Sequence, residues 1–279
     1  MRIKTKTVRM IQQFQTYLEK SGLSANTVSA YVWAVKSYYT HYEMLNEKNL
    51  QEFRAWLIGH YKPQTVNLRL MGINRYLRFI NKEKMQLRFV KVQQRIFLEE
   101  VISDADYRYF KERLKQDGHL KWYFIVWFMS ATGARVSELL QIRVEHVEAG
   151  FLDIYSKGGK VRRLYIPRPL QQEALSWIRD EGSVHHRGGF LFQNRFGEVL
   201  SARGVALQLK RYALQYGLNP RVVHPHVFRH LYAKSFLQKS PDISLLADLM
   251  GHGSIETTRI YLRRTGNEQR RAVDKLVTW

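Results

Sequence analysis

The sequence contains no cysteine among its 279 residues. This absence excludes disulfide-stabilised folds, zinc sites built on thiolates and enzymes that use a cysteine nucleophile. The ten histidines form no His-Glu-x-x-His motif, and the chain has no Gly-x-x-x-x-Gly-Lys-Ser/Thr loop for nucleotide phosphates. We therefore expect chemistry that needs no metal and no nucleotide cofactor.

Long hydrophobic runs are also missing. The longest apolar stretch, residues 122–129, is too short to cross a bilayer. Residues 1–10 are basic but lack the apolar segment of a secretory signal. We therefore expect a soluble intracellular protein with no membrane partner.

Acidic residues are scarce, with 24 Asp and Glu against 45 Lys and Arg, so the net charge is +21. Residues 1–94 carry 16 of the basic residues and 5 of the acidic ones, so both parts of the chain are basic. A folded chain of this charge generally binds a polyanion. The even distribution favours a protein in which two basic domains contact one duplex.

The length predicts two domains, and the 45% hydrophobic content is enough for two cores. Residues 1–85 show helical periodicity in four segments, with Ser24 as a predicted N-cap, and predict a small helical DNA-binding domain. The pattern weakens and Lys and Arg concentrate in residues 86–96, which we interpret as a linker. Residues 97–279 then form a catalytic domain that includes a C-terminal tail, 262–279.

The second domain is predicted to be mainly α-helical with a small three-stranded antiparallel sheet. Ser103 is a predicted N-cap, and residues 119–131 are apolar on nearly every side, which predicts a buried helix. Three segments alternate or are rich in β-branched residues and predict the strands, at 142–147, 151–155 and 161–166. Further helices are predicted at 169–180, 203–216, 226–239, 242–250, 255–262 and 267–277.

Five short motifs in this domain carry residue types that suit phosphoryl transfer. They are Thr132-Gly133-Ala134-Arg135, Ser156-Lys157-Gly158-Gly159-Lys160, His226-Val227-Phe228-Arg229, Gly251-His252-Gly253 and Thr257-Thr258-Arg259-Ile260-Tyr261. An arginine fork can hold two phosphate oxygens and stays charged. An imidazole can accept a proton near neutral pH, and a phenol can attack phosphorus to give a covalent intermediate.

In this order the motifs resemble the active site of the tyrosine recombinases, the phage-integrase and Xer family. The resemblance implies that Tyr261 is the nucleophile and that His226 takes its proton. It implies that the phosphate oxygens are held by Arg135, Arg229 and His252. Lys157 would protonate the leaving 5′ oxygen, with Lys160, Arg162 and Arg163 as competitors for that role. Glu138 either supports an active-site base or forms a helix-surface pair, whereas His230 is predicted to pack or cap.

The resemblance also implies the partners. We expect double-stranded DNA with inverted-repeat core sites, a homo-tetramer on DNA joined through the tail, and a directionality factor, in a bacterial cytoplasm close to the nucleoid. Predicted DNA contacts are Arg203, Lys210 and Arg211. The segment Ser254-Ile255-Glu256-Thr257-Thr258 is similar to mobile-element integrases of Gram-positive bacteria, which favours integration, excision or inversion. Alternatives are Xer-type dimer resolution, a type IB topoisomerase and a non-catalytic DNA-binding protein.

Overall fold

The computed structural model describes residues 4–92, 102–155, 161–181 and 189–262, together with positions 274 and 277. The chain divides into two compact units, Met1–Gln94 and Arg95–Trp279. Both units are mainly helical, as predicted. No helix in the described ranges is long and apolar enough to cross a membrane.

The first unit is a bundle of four helices around one apolar core. The helices are α1 (Thr5–Lys20), α2 (Ala25–His41), α3 (Glu47–His60) and α4 (Pro63–Phe79). The predicted cap is confirmed, because the Ser24 hydroxyl accepts a hydrogen bond from the backbone N–H of Thr27. Helices α2 and α4 cross closely at Gly72, where a Cβ atom would lie 2.9 Å from the Cα of Tyr31.

Residues 86–92, which begin the predicted linker, lie on the first unit. Two asparagines one heptad apart on α4 bind this segment through paired hydrogen bonds. Asn74 bonds the backbone N–H and C=O of Leu87 at 2.8 and 2.9 Å, and Asn67 bonds those of Val90, both at 2.9 Å. Leu87 is buried in the core of the bundle. The paired bonds satisfy the backbone of an extended segment that has no neighbouring strand.

The second unit packs its elements around one buried helix, α6. Its helices are α5 (Asp104–Gln116), α6 (Leu120–Thr132), α7 (Val136–Leu139), α8 (Val144–Ala149), α9 (Arg168–Glu181), α10 (Ala202–Gln215), α11 (Pro225–Lys239), α12 (Ile243–Met250) and α13 (Ile255–Arg259), followed by a 3₁₀ turn, Ile260–Leu262. Strands β1 (Phe151–Tyr155) and β2 (Val161–Tyr165) lie between α8 and α9. As predicted, Ser103 caps α5 and α6 is buried on most sides.

The predicted third strand is wrong. Within the described residues the sheet has two antiparallel strands, with Phe151 opposite Tyr165 and Tyr155 opposite Val161. Residues 142–147 instead lead into α8. The backbone N–H of Arg143 donates to Nδ1 of His146 at 3.0 Å, and this bond caps the start of the helix. In the described residues this segment forms an isolated bridge, from Arg143 to Phe190, outside the predicted sheet. A short apolar run does not by itself distinguish a strand from a buried helical turn.

Candidate active site

The C-terminal end of α12 collects three arginines. Its last carbonyl groups have no partner inside the helix and carry the negative end of the helix dipole. Leu249 O accepts from Arg162 at 2.7 Å and Met250 O accepts from Arg229 at 2.6 Å. The next carbonyl, of Gly251, accepts a longer bond of 3.5 Å from Arg135. Three guanidinium groups from separate parts of the chain are thus brought to one place.

Arg229 is a buried member of this group. It sits on the first turns of α11 and donates to Gly133 O at 2.5 Å, to Met250 O and to His252 Nε2 at 3.1 Å. Burial, with the neighbouring Arg135 acting in the same direction, lowers the pKa of Arg229 to about 10. The guanidinium therefore stays charged at neutral pH while its position is fixed by protein atoms.

Arg135 is half-exposed and is held by Glu138. The buried Glu138 carboxylate accepts the backbone N–H of Arg135 at 2.7 Å and its side chain at 2.8 Å. It also accepts Arg162 at 2.5 Å. Burial alone would raise the pKa of Glu138, but the Arg135 N–H and the charge of Arg162 bring that pKa below its usual value. Glu138 is therefore an anion that orients Arg135 rather than a helix-surface pair.

Two glycines allow these contacts. Gly133 ends α6 with φ +65°, and its carbonyl receives Arg229 while a Cβ atom there would lie 2.4 Å from the Tyr232 ring. Gly251 ends α12 with φ +63°, and its Cβ would lie 2.3 Å from Arg162. A left-handed backbone and a close neighbour together exclude a side chain at both positions.

His252 lies against the arginines as a neutral imidazole. Its Nδ1 lies 2.7 Å from the Thr258 hydroxyl, and its Nε2 accepts from Arg229. Burial, and then the charges of Arg229 and Arg135, lower the pKa of His252 to about 4. The ring is therefore positioned by α13 on one side and by α11 on the other.

Tyr261 stands in the 3₁₀ turn after α13, near two imidazoles. Its ring centroid is 6.4 Å from that of His252, nearly parallel, and 5.2 Å from that of His230. Burial raises the pKa of the Tyr261 phenol, while Arg229 and Arg135 act to lower it. The ring packs against Ala233 and neighbouring apolar residues of α11 and α12, so the phenol is held beside the cations.

His230 is a neighbour of Tyr261 that sequence reasoning did not place there. The helical spacing of His226 and His230 was a usable signal, because residues four apart share a helix face. The sequence indicates Arg162 only as an alternative to Lys157 and gives no sign of its buried position beside Glu138. Arg162 lies on β2 with a side chain that is only 8% exposed.

The remaining predicted residues have different surroundings. His226 is exposed at the start of α11, and its ring centroid is 6.5 Å from that of His224. Arg203, Lys210 and Arg211 are exposed on α10, opposite its buried face. Lys157 and Lys160, and the predicted tail helix 267–277 apart from positions 274 and 277, lie outside the described residues.

An open cleft of about 770 Å³ gives access to the cluster. Its walls include Arg135, Arg162 and His252 from the cluster, and Val161 and Tyr165 from β2. A cleft with cations on one wall can bind an anionic diester, and His252 in that wall links it to the neighbouring Tyr261 ring.

Mild acid is expected to destabilise the second unit, because His230 and His252 are neutral in the fold. Burial lowers the pKa of both to about 4. In an unfolded chain a histidine titrates near pH ~6.5, so between these values the unfolded state binds more protons and the free energy of unfolding falls as the pH falls. Thermal unfolding between pH 7 and pH ~5, above the usual carboxyl range, measures this. His230→Phe should flatten the dependence, and a pH-independent melting temperature in the wild type would contradict it.

Comparisons with known proteins identify the family of the chain. Residues 99–268 match the phage integrase family. The chain is 30% identical over 284 residues to the tyrosine recombinase XerA of Pyrococcus furiosus, covering 99% of this chain and 96% of that protein. It is 25% identical to the tyrosine recombinase XerD of Vibrio cholerae, covering 90% of each. The chain belongs to the phage integrase family and is a tyrosine recombinase, an enzyme that transfers DNA strands in site-specific recombination.

Solved structures show the same fold. The Tn1549 transposon integrase in complex with transposon right end DNA matches with a TM-score of 0.73 at 15% identity, covering 96% of this chain and 99% of that one. The XerH recombinase in a pre-cleavage complex with its difH substrate matches with a TM-score of 0.69 at 20% identity, covering 88% and 79%.

Proposed function

We propose that this recombinase cuts one DNA strand at a time through a 3′-phosphotyrosyl bond made by Tyr261. The phenolic oxygen attacks the phosphorus, the bond from phosphorus to the 5′ oxygen breaks, and a 5′-hydroxyl strand end is released. Attack by a 5′-hydroxyl on the phosphotyrosine reverses the step, so no nucleotide is consumed. The observation that carries this proposal is the half-buried Tyr261 ring, whose centroid is 6.4 Å from that of His252 and whose pKa Arg229 and Arg135 act to lower.

The arginines have the geometry to stabilise the transition state. Charge develops on the two non-bridging oxygens when phosphorus becomes five-coordinate, and fixed N–H donors stabilise it without reorganisation. Arg135 donates to Glu138 and, through a long bond, to Gly251 O, and its side chain is 40% exposed, so its remaining donor capacity can face a phosphate. In this scheme Arg229 and His252 complete the phosphate pocket from the buried side.

Two proton transfers remain, one from the phenol and one to the leaving oxygen. We assign the first to His226, whose exposed imidazole precedes Arg229 by one helical turn. We assign the second to Lys157, which lies between β1 and β2 in the sequence. Strand β2 runs along the cleft wall, which supports an acid from the residues that precede it.

Replacing the general acid is expected to slow cleavage in a way that depends on the leaving group. Lys157→Met should lose on the order of 10²–10⁴-fold on ordinary DNA. A substrate with sulfur in place of the bridging 5′ oxygen should recover most of that rate, since a thiolate leaves without a proton. Lys160→Met is the matched control three residues further along the sequence and should keep nearly full rate on both substrates. Sulfur rescue of Lys160→Met instead of Lys157→Met would move the acid to Lys160.

The substrate in this proposal is double-stranded DNA with inverted-repeat core sites, bound by residues 1–85 and 97–279 with 86–96 between them. The net charge of +21 and the exposed Arg203, Lys210 and Arg211 on α10 support duplex binding. Four copies acting together, with tail 262–279 on a neighbouring copy and a directionality factor, complete the proposed assembly. Integration, excision or inversion of a mobile element is the proposed role. The likeness to XerA, which covers 99% of this chain and 96% of that protein, favours the alternative role, Xer-type dimer resolution.

The test is to trap protein–DNA adducts in cells under denaturing conditions and to sequence the attached DNA. Strand ends that recur at one inverted repeat support site-specific recombination, and the genomic position of the repeat separates a mobile element from a chromosomal resolution site. Ends scattered over the genome would overturn the proposal in favour of a topoisomerase. No adduct despite duplex binding would indicate a DNA-binding protein without this chemistry.

A further inference from the structure

Arg162 is a buried cation beside the phosphate pocket that the proposed chemistry does not use. Its side chain is 8% exposed, and a buried charge is costly unless it is paired. We propose that Arg162 is a positioning residue for strand cleavage, which clamps the Glu138–Arg135 pair to the end of α12 and keeps the carboxylate away from Arg229. This inference rests on the proposed function, because it names what holds that site in order.

The sharing of the Glu138 oxygens carries the argument. Oε1 is taken by the Arg135 side chain at 2.8 Å. Oε2 is shared by the Arg135 backbone N–H at 2.7 Å and Arg162 Nη2 at 2.5 Å. Arg229 Nη1 lies 3.9 Å from the same Oε2. Without Arg162, the buried carboxylate would turn further toward Arg229 and shorten the 3.9 Å contact to a hydrogen-bonded ion pair with a phosphate donor.

Arg162 also joins the carboxylate to the turn that carries His252. Its second terminal nitrogen donates to Leu249 O at 2.7 Å, so one planar guanidinium bridges α7 and α12. Its stem lies on Gly251, where a Cβ would be 2.3 Å from Arg162 Cδ, and its Nε is buried without a hydrogen-bond partner. The lack of a side chain at Gly251 is therefore explained by the arginine that packs there.

The contacts distinguish Arg162 from Arg135, the arginine on the exposed side of the phosphate pocket. Both of its terminal nitrogens are bound by protein acceptors and its Nε is covered, whereas Arg135 is 40% exposed. Arg162 therefore acts through Glu138 and the α12 carbonyl, not by touching DNA. A lysine cannot reproduce this bridge, because it offers one compact donor instead of a planar fork.

The experiment measures single-turnover cleavage by the full chain on saturating duplex DNA, with a core site recovered from trapped adducts. Arg162→Met should cleave on the order of 10²-fold more slowly than the wild type, as expected for a sub-ångström misplacement of phosphate ligands. Arg162→Lys should recover only part of that loss. Arg113→Met is the charge-matched control on α5, where Arg113 pairs with Asp117 in solvent, and it should cleave at the wild-type rate.

A second change separates positioning from loss of fold. In the Arg162→Met background, Glu138→Gln removes the carboxylate that would otherwise bind Arg229, so the double variant should cleave faster than Arg162→Met alone. Two sites in contact should show such non-additivity, whereas independent defects multiply. Melting temperatures of all variants are measured alongside, and rates are compared at a temperature where each is folded.

The inference would be overturned if the rate losses of Arg162→Met and Glu138→Gln multiply in the folded double variant. It would also be overturned if Arg162→Met cleaves at the wild-type rate. Both results require that the wild type cleaves, so they leave the proposed function intact. A wild type that forms no adduct would count against the proposed function itself.

Discussion

Tyr261→Phe is expected to lose all detectable strand cleavage while duplex binding stays within about twofold of the wild type, since phosphate contacts supply most of the affinity. The change removes one oxygen and keeps the ring, which packs against the apolar cluster of α11 and α12. Cleavage is measured as covalent adduct on a labelled duplex, and binding as a titration in the same buffer.

Tyr109→Phe is the matched control for this change. Tyr109 is exposed on α5, and its hydroxyl should have no part in cleavage. Adduct formation by Tyr261→Phe would identify another nucleophile. Loss of both duplex binding and cleavage would mean that Tyr261 is needed for folding, and would not support it as the nucleophile.

Arg229→Lys is expected to reduce cleavage on saturating DNA by about 10²–10³-fold, the loss usual for a missing transition-state donor. Charge is conserved, but the guanidinium makes three contacts, with Gly133 O, Met250 O and His252 Nε2. A lysine ammonium reaches fewer of them and would leave a buried carbonyl unpaired. His252 would also lose the donor that orients its Nε2.

The control for Arg229→Lys is Arg221→Lys, at an exposed position before α11. Its cleavage rate should match that of the wild type. Duplex affinity of both variants should change little, because the net charge is the same. Cleavage by folded Arg229→Lys within about threefold of the wild type would contradict a transition-state role, given that such donors are usually worth far more.

The order of the motifs carried most of the functional prediction, and local chemistry explains why. Arg135, Arg229, His252 and Tyr261 each follow a helix end or a helix start that the sequence marks with glycine, proline or serine. Those signals locate chain reversals, and chain reversals bring distant side chains together.

The parts that could not be predicted depend on tertiary contacts. Nothing local distinguishes Arg162 from Arg163, since both stand on β2, but alternation along the strand buries the first and leaves the second paired with Asp153 at 2.8 Å. The prediction of a third strand was wrong for a related reason. The burial of Ile142 and Val147 fits either a strand or a helical turn until the elements that pack against them are known.

The most direct test of the central claim is mass spectrometry of the covalent complex. The adduct is trapped on DNA, digested with nuclease and protease, and the peptide that carries the residual nucleotide is fragmented. We expect the nucleotide mass on the tyrosine of Ile260-Tyr261-Leu262, joined through a 3′ phosphate. A nucleotide on any other residue, or joined through a 5′ phosphate, would contradict it.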